Sequence, residues 1–258
     1  MITTIFFDLD DTLLWDEKSV QTAFDATCQY AASIYDLDPN QLEEAVRDQA
    51  RTLYASYETH AFTKMIGINP FEGLWGNFDD EGDMFQKMKE IVPQYRRDTW
   101  TQGLAKLGIN DPRLGAELAE RFPAERKNAP FLFYDALPIL EQLSKDYSLL
   151  MLTNGSPELQ NVKLTITPEL APLFNEIIIS GDFGRGKPDV TIFDYALKQV
   201  DKKKEEVLMV GDNLMTDILG ANRAGIKSIW LNRFDKKGND VKPHAEIKNL
   251  HELLDLLS

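Results

Sequence analysis

A single cysteine, Cys28, stands in the 258-residue sequence, so no disulfide can form within the chain, which suits a reducing compartment. Histidine is nearly as scarce. His60, His244 and His251 lie far apart, which leaves a histidine-built zinc site or a Ser-His-Asp hydrolase without its parts. No apolar run approaches the roughly 18–20 residues of a membrane span, and Met1-Ile2-Thr3-Thr4 lacks the basic start of a signal peptide. Positive charge is short as well: 28 Lys and Arg face 42 Asp and Glu, a net charge of −14 with a pI near 4.7. Such a surface repels nucleic acid backbones and anionic lipid, and an anionic substrate would need local positive charge. No internal repeat or low-complexity segment is found. These absences point to a cytoplasmic protein with neither nucleic acid nor membrane as a partner, and they carry no signal of oligomeric state.

What is present is enough apolar content, 43%, to bury one large domain or a core plus a smaller one. Residues 2–7 mix β-branched and aromatic side chains, which predicts a strand buried on both faces of a parallel sheet. Its carboxyl end delivers Asp8 and Asp10 into one small volume. Carboxylates that close repel each other unless a cation sits between them or one takes up a proton, so the pair points to a divalent metal or to acid/base work. An Asp-x-Asp pattern is expected about twice by chance in a chain this rich in aspartate, and it occurs twice. Context separates the copies. Asp36-Leu37-Asp38 precedes Pro39-Asn40 in a helix-to-helix turn, whereas Asp8 and Asp10 follow a strand and precede the hydroxyl of Thr12.

Beyond Leu13 the pattern turns helical. Val20, Phe24, Cys28, Ala31 and Tyr35 recur at helical spacing, as do Leu42, Val46, Ala50, Leu53 and Tyr57. Residues 67–83, rich in Gly, Asn, Asp and aromatics, read as a long loop, followed by helices at 84–91 and 100–107 that Pro93 breaks or kinks, and by another at 114–122. The loop aromatics Phe71, Trp75 and Phe78 suit a small local core better than a substrate pocket. From residue 131 onward, apolar runs at 148–152, 177–180, 207–210 and 226–231 alternate with helical stretches at 137–143 and 190–200, and a last helix spans 245–257. The expected architecture is therefore α/β, a Rossmann-like doubly wound parallel sheet formed by 1–14 and 131–258, with an inserted all-helical domain at 15–130.

In such a sheet ligands sit outside the carboxyl ends of the strands, where the strand order switches. Asp8 and Asp10 follow the first strand, Thr153 and Asn154 the second, and Asp212 the fourth, with Asp217 five residues on. Carboxylates without His or Cys make a hard oxygen site that suits Mg²⁺, with Asp8 and Asp212 as ligands and Asp10 adding its backbone carbonyl. Mg²⁺ often takes its remaining place from a substrate phosphate. Thr153, Asn154 and Lys187 bring a hydroxyl, amide donors and a point charge suited to phosphate oxygens.

Asp8-Leu9-Asp10-x-Thr12-Leu13, Thr153-Asn154, Lys187-Pro188 and Gly211-Asp212-x-x-x-x-Asp217 resemble, in order and context, the four motifs of the haloacid dehalogenase-like (HAD) hydrolase superfamily. The resemblance implies that Asp8 is a nucleophile forming an aspartyl-phosphate, while Asp10 protonates the leaving oxygen and then activates water. It implies too that Lys187 steadies Asp8 and the phosphate, and that Asp217 orients Lys187 or a metal-bound water. Asp11 stands where many members have glycine. The helical insert resembles the family's C1-type cap, whose closure shapes substrate choice. The expected activity is a Mg²⁺-dependent phosphatase on a small phosphorylated metabolite such as a sugar phosphate, phosphoserine or a nucleoside monophosphate; nothing in 15–130 picks one.

A phosphomutase would share the aspartyl-phosphate and differ in excluding water. A 2-haloacid dehalogenase would share the fold, but the family's dehalogenases lack the second motif aspartate, since a halide leaves without an acid. A non-enzymatic nucleotide-binding protein is suggested by residues 181–187, which fit the first seven positions of a P-loop. Pro188 opposes it, having neither the hydroxyl nor the N–H that the eighth position requires.

Overall fold

The computed structural model describes residues 1–257. The chain divides into two compact units: Met1–Trp15, Leu132–Pro157 and Thr167 onward form one, and Asp16–Phe131 with Glu158–Ile166 the other. In the first unit, β1 (Thr4–Phe7), β2 (Ser148–Thr153), β3 (Glu176–Ile179), β4 (Val207–Gly211), β5 (Lys227–Leu231) and β6 (Ala245–Ile247) make one sheet in the order β3-β2-β1-β4-β5-β6. Every pairing is parallel, with Thr4 opposite both Ser148 and Val207. β1 has all four residues buried and β4 all five, as strands covered on both faces require. The order of strands reverses between β1 and β4, so the ends of β1, β2 and β4 open on one crevice.

The helical unit holds α1 (Asp16–Ala32), α2 (Pro39–Ser56), α3 (His60–Ile66), α4 (Pro70–Gly73), α5 (Asp83–Lys106) and α6 (Pro112–Lys127). Asp38 and Asp111 cap α2 and α6 through their side chains, each just before a proline at the first helical position. The second Asp-x-Asp copy thus does turn chemistry. Phe24, Tyr95, Trp100 and Phe122 fill the core, with the Phe24 and Phe122 ring centroids 4.6 Å apart.

Two features depart from the sequence pattern. α5 runs through Pro93 without a break, because the buried stripe Met88, Val92, Tyr95 and Thr99 continues across it and packing outweighs one lost backbone hydrogen bond. Residues 67–83 are less of a loop than their composition suggests. Asn69 and Glu72 form a capping box for α4, and the buried Arg96 guanidinium donates to the carbonyls of Gly73 and Gly76. Trp75 and Phe78 are buried in the core of this unit and Phe71 packs at its edge.

The remaining helices are α7 (Ala136–Leu143), α8 (Pro157–Ile166), α9 (Ser180–Phe183), α10 (Val190–Gln199), α11 (Leu219–Ala224) and α12 (His251–Leu257). Phe6, Leu150, Leu152 and Met209 of the sheet pack against Ile192, Phe193 and Ala196 of α10 and Ala221 of α11. Burying each of the larger of these side chains stabilises by about 1.5–3 kcal/mol. α8 groups with the helical unit, although its sequence position places it in the alternating half. Fully buried Lys163 lies 3.2 Å from Glu72 and 3.6 Å from Asp16, and Arg126 pairs with Asp16 as well. Burial alone would raise the Asp16 carboxyl, but Lys163 and Arg126 outweigh it and hold it below the usual carboxylate range.

The chain end also differs from expectation. Residues 245–247 pair with β5 as β6, and only α12 is helical, because the β5 edge offers backbone partners that a helix would leave unpaired. No helix among the described residues is long and apolar enough to cross a membrane.

Candidate active site

β1 ends at Phe7, and Asp8 still donates its N–H to the Val210 carbonyl at 3.0 Å, so the nucleophile candidate sits at the last rung of the ladder. The chain then turns tightly. Leu13 and Leu14 both donate to the Leu9 carbonyl, and Asp11 takes a left-handed backbone with φ of 57°. Aspartate tolerates that region and glycine favours it, which gives a physical reason for the glycine that many family members carry here. The turn brings the buried Thr12 hydroxyl back over Asp8. Thr12 Oγ1 donates to Asp8 Oδ2 at 3.2 Å and accepts from the Asp212 N–H at 3.1 Å.

Lys187 reaches the other oxygen. Its ammonium, buried, donates to Asp8 Oδ1 at 2.6 Å and to the Leu152 carbonyl at 2.6 Å, and forms an ion pair with Asp217 Oδ1 at 2.7 Å. Asn154 holds the lysine's backbone from both sides: Asn154 Nδ2 donates to the Lys187 carbonyl at 2.9 Å and Asn154 Oδ1 accepts from the Lys187 N–H at 2.8 Å. The Asn154 amide thereby holds the Lys187 backbone, in addition to standing just past the end of β2 beside Thr153. Thr153 is buried at the end of β2.

β4 ends at Gly211, and Asp212 follows it. Beyond it, Asn213 caps a single π-turn, Leu214–Ile218, that turns Asp217 inward to accept from the Asn213 N–H at 3.0 Å. A Cβ at Gly211 would lie 2.4 Å from Asp217 Cγ, so only glycine lets that carboxylate come so close. One oxygen each from Asp8, Asp212 and Asp217 lie within 4.8 Å of one another. The sequence pattern makes Asp217 a supporting residue, whereas the structure puts its oxygen among the three. Asp10 is half-buried and outside that trio.

The electrostatics follow from burial. Desolvation, with the charges of Asp217 and Asp10, pushes the Asp8 carboxyl up to about 7 against the pull of Lys187. Desolvation and Asp8 push Asp212 up to about 6 against Lys236 and Lys187. Asp217 is raised too, chiefly by burial. Lys187 moves the other way from what burial alone dictates, because Asp217 and Asp8 outweigh it and hold the ammonium above its usual value. Buried Asp8 and Asp217 share the one buried ammonium of Lys187, while half-buried Asp212 faces the more exposed Lys236, so the acids outnumber the buried positive charge. With oxygen donors alone, that suits a hard divalent cation.

Several participants carry no local signal in the sequence. Lys236, half-exposed, places its ammonium 3.1 Å from Asp212 Oδ2. Trp230 Nε1 donates to the Asp212 carbonyl at 2.8 Å, and Arg233 reaches the Thr12 carbonyl at 3.0 Å. Each lies in or just after β5, a segment without a motif.

A family model described as haloacid dehalogenase-like hydrolase matches residues 2–225. A phosphoserine phosphatase from Thermus thermophilus is 30% identical over 251 residues, covering 96% of this chain and 96% of its own. A glyceraldehyde 3-phosphate phosphatase from Pyrococcus furiosus is 32% identical, covering 99% of this chain and 93% of its own. The crystal structure of the HAD-hydrolase YfnB from Bacillus subtilis, bound to magnesium, covers 100% of this chain and 99% of its own at 24% identity with a TM-score of 0.67, a likeness of fold.

Proposed function

Because this chain belongs to the haloacid dehalogenase-like hydrolase family, we propose that it is a phosphatase that hydrolyses a small-molecule phosphomonoester through Asp8. The convergence of Asp8, Asp212 and Asp217 around Lys187 carries this reading. Asp8 Oδ2, held by the Thr12 hydroxyl, and Oδ1, held by Lys187, leave the carboxylate fixed in direction, as an attacking nucleophile requires. An oxygen of Asp8 attacks phosphorus, the bond to the ester oxygen breaks, and Asp10 gives that oxygen its proton. Asp10 then takes a proton from water as the water oxygen attacks the aspartyl-phosphate. Inorganic phosphate leaves and Asp8 is restored.

Asn154 acts on this chemistry by setting the Lys187 backbone, and Asp217 by sharing the ammonium with Asp8. Thr153, Asn154 and Lys187 are the phosphate-holding groups. Asp8 and Asp212, with the Asp10 carbonyl, would hold Mg²⁺, which when bound supplies neutralising charge to the phosphate oxygens. The phosphoserine and glyceraldehyde 3-phosphate phosphatases among the relatives support a small phosphorylated metabolite as substrate.

Release of phosphate from para-nitrophenyl phosphate with Mg²⁺ tests the reading, and a panel of phosphorylated metabolites then ranks substrates. Asp8→Asn and Asp10→Asn are expected to lower turnover by at least about 10²-fold each. Near wild-type turnover in either variant sinks the assignment.

A further inference from the structure

Arg233, two residues beyond β5, takes no part in the chemistry above, yet its buried guanidinium meets the nucleophile's turn. Nη1 donates to Asp135 Oδ2 at 2.9 Å, and Nη2 donates both to Asp135 Oδ1 at 2.8 Å and to the Thr12 carbonyl at 3.0 Å. Asp135 is fully buried and accepts a further bond from the Leu250 N–H at 2.8 Å. Arg233 Cζ lies over the Phe133 ring, 4.0 Å from its centroid, and the Phe133 N–H donates to the Leu13 carbonyl at 3.0 Å. Segments from three parts of the chain thus pin one tight turn.

Stability alone is a poor account of this arrangement, since a buried ion pair is often matched by apolar side chains of the same volume. Its geometry is the distinguishing feature. The planar fork engages both Asp135 oxygens and still aims one N–H at the Thr12 carbonyl, which a lysine ammonium cannot do in the same place. Thr12 is β-branched, so its hydroxyl direction follows its backbone. That hydroxyl is the group set between Asp8 Oδ2 and the Asp212 N–H, which follow two different strands, β1 and β4.

We infer that Arg233 is a positioning residue for the nucleophile: by holding the Thr12 carbonyl, with Asp135 as its anchor, it sets the hydroxyl that spaces Asp8 from Asp212. The inference rests on the phosphatase reading for its kinetic consequence and on the geometry alone for its effect on cation binding. It assigns a role in the reaction to a residue outside all four motifs.

A double-mutant cycle tests it with Arg233→Lys and Thr12→Ala, read by kcat and KM for para-nitrophenyl phosphate and, without substrate, by calorimetric titration with Mg²⁺. Arg233→Lys is expected to lower kcat by about tenfold, as a small misplacement of a reacting group does, with KM within about twofold. It should also weaken Mg²⁺. In the Thr12→Ala background the same substitution is expected to change kcat and Mg²⁺ affinity little, because the link it acts through is gone. Additive losses, or a lower melting temperature with kcat and Mg²⁺ affinity unchanged, would overturn the inference. If Arg233→Lys does not fold, Asp135→Asn, which keeps the anchor's shape, is read in the same cycle with the same expectation. Failure of the phosphatase reading is seen separately, as a wild type that releases phosphate from no phosphomonoester, and the Mg²⁺ cycle still decides the role of Arg233.

Discussion

A methyl group added at Gly211 asks whether Asp217 lies where the site needs it. The new Cβ would stand 2.4 Å from Asp217 Cγ and Oδ2 and 2.6 Å from its Cβ. Apolar contacts settle near 3.5–4.0 Å, so the carboxylate must retreat by about 1 Å. Its ion pair with Lys187 at 2.7 Å and the hydrogen bond it accepts from the Asn213 N–H at 3.0 Å would both stretch. Overpacking of this kind costs about 1–3 kcal/mol, rising to about 3–5 kcal/mol where a buried charge loses its partner. Lys187 keeps Asp8 and the Leu152 carbonyl but shifts away from Asp217, and a displacement near 1 Å is enough to lower turnover by about 10²-fold. Urea denaturation and phosphate release at saturating Mg²⁺ measure the two effects. The cause is checked in an Asp217→Gly background, where nothing remains to collide and Gly211→Ala should add little further loss. A Gly211→Ala protein within about 0.5 kcal/mol of wild type, with turnover intact, would refute the reasoning; so would an equal loss in both backgrounds.

Three further outcomes are expected. Asp8 and Asp212 are raised by burial to about 7 and about 6, so the folded chain keeps protons that the unfolded chain sheds near pH 4. Metal-free stability should therefore fall as pH rises from about 4 toward 7, and Mg²⁺ should raise the melting temperature more at pH 7.5 than at pH 5.5. A pH-independent Mg²⁺ shift in a thermal scan would contradict this. Lys236→Met removes a half-exposed ammonium from Asp212 and should tighten Mg²⁺ by about two- to fivefold, the scale of an exposed ion pair; unchanged or weaker affinity by calorimetry would mean that Lys236 does not compete with the cation. In the helical unit, a Cβ on Gly103 would meet Val46 Cγ2 at 2.4 Å. Gly103→Ala should cost about 1–3 kcal/mol in urea denaturation, largely recovered by Val46→Ala, and no recovery would place the strain elsewhere.

The catalytic candidates were legible because each stands where an apolar run gives way to turn chemistry. Asp8 follows Ile5-Phe6-Phe7, Thr153 closes β2 and Asp212 follows Val207 to Gly211, so strand periodicity alone points to their common end of the sheet. Where the reading went astray, a distant partner decided. Pro93 is a local stop signal that a buried stripe overrode, and residues 245–247 extend because β5 had an edge to pair. α8 follows Asn154 in the chain but belongs with the helical unit, where Lys163 meets Asp16 and Glu72.

Composition, periodicity and four short motifs were sufficient to determine a parallel α/β core, its family and the residues at its strand ends, since each of these depends on neighbours within a few positions along the chain. Only the tertiary structure decided that Asp217 joins Asp8 and Asp212, that Asn154 clamps Lys187, and that Arg233 holds Thr12 from 221 residues away. Those distances come from many small packing terms satisfied at once, and a local pattern has no access to their sum.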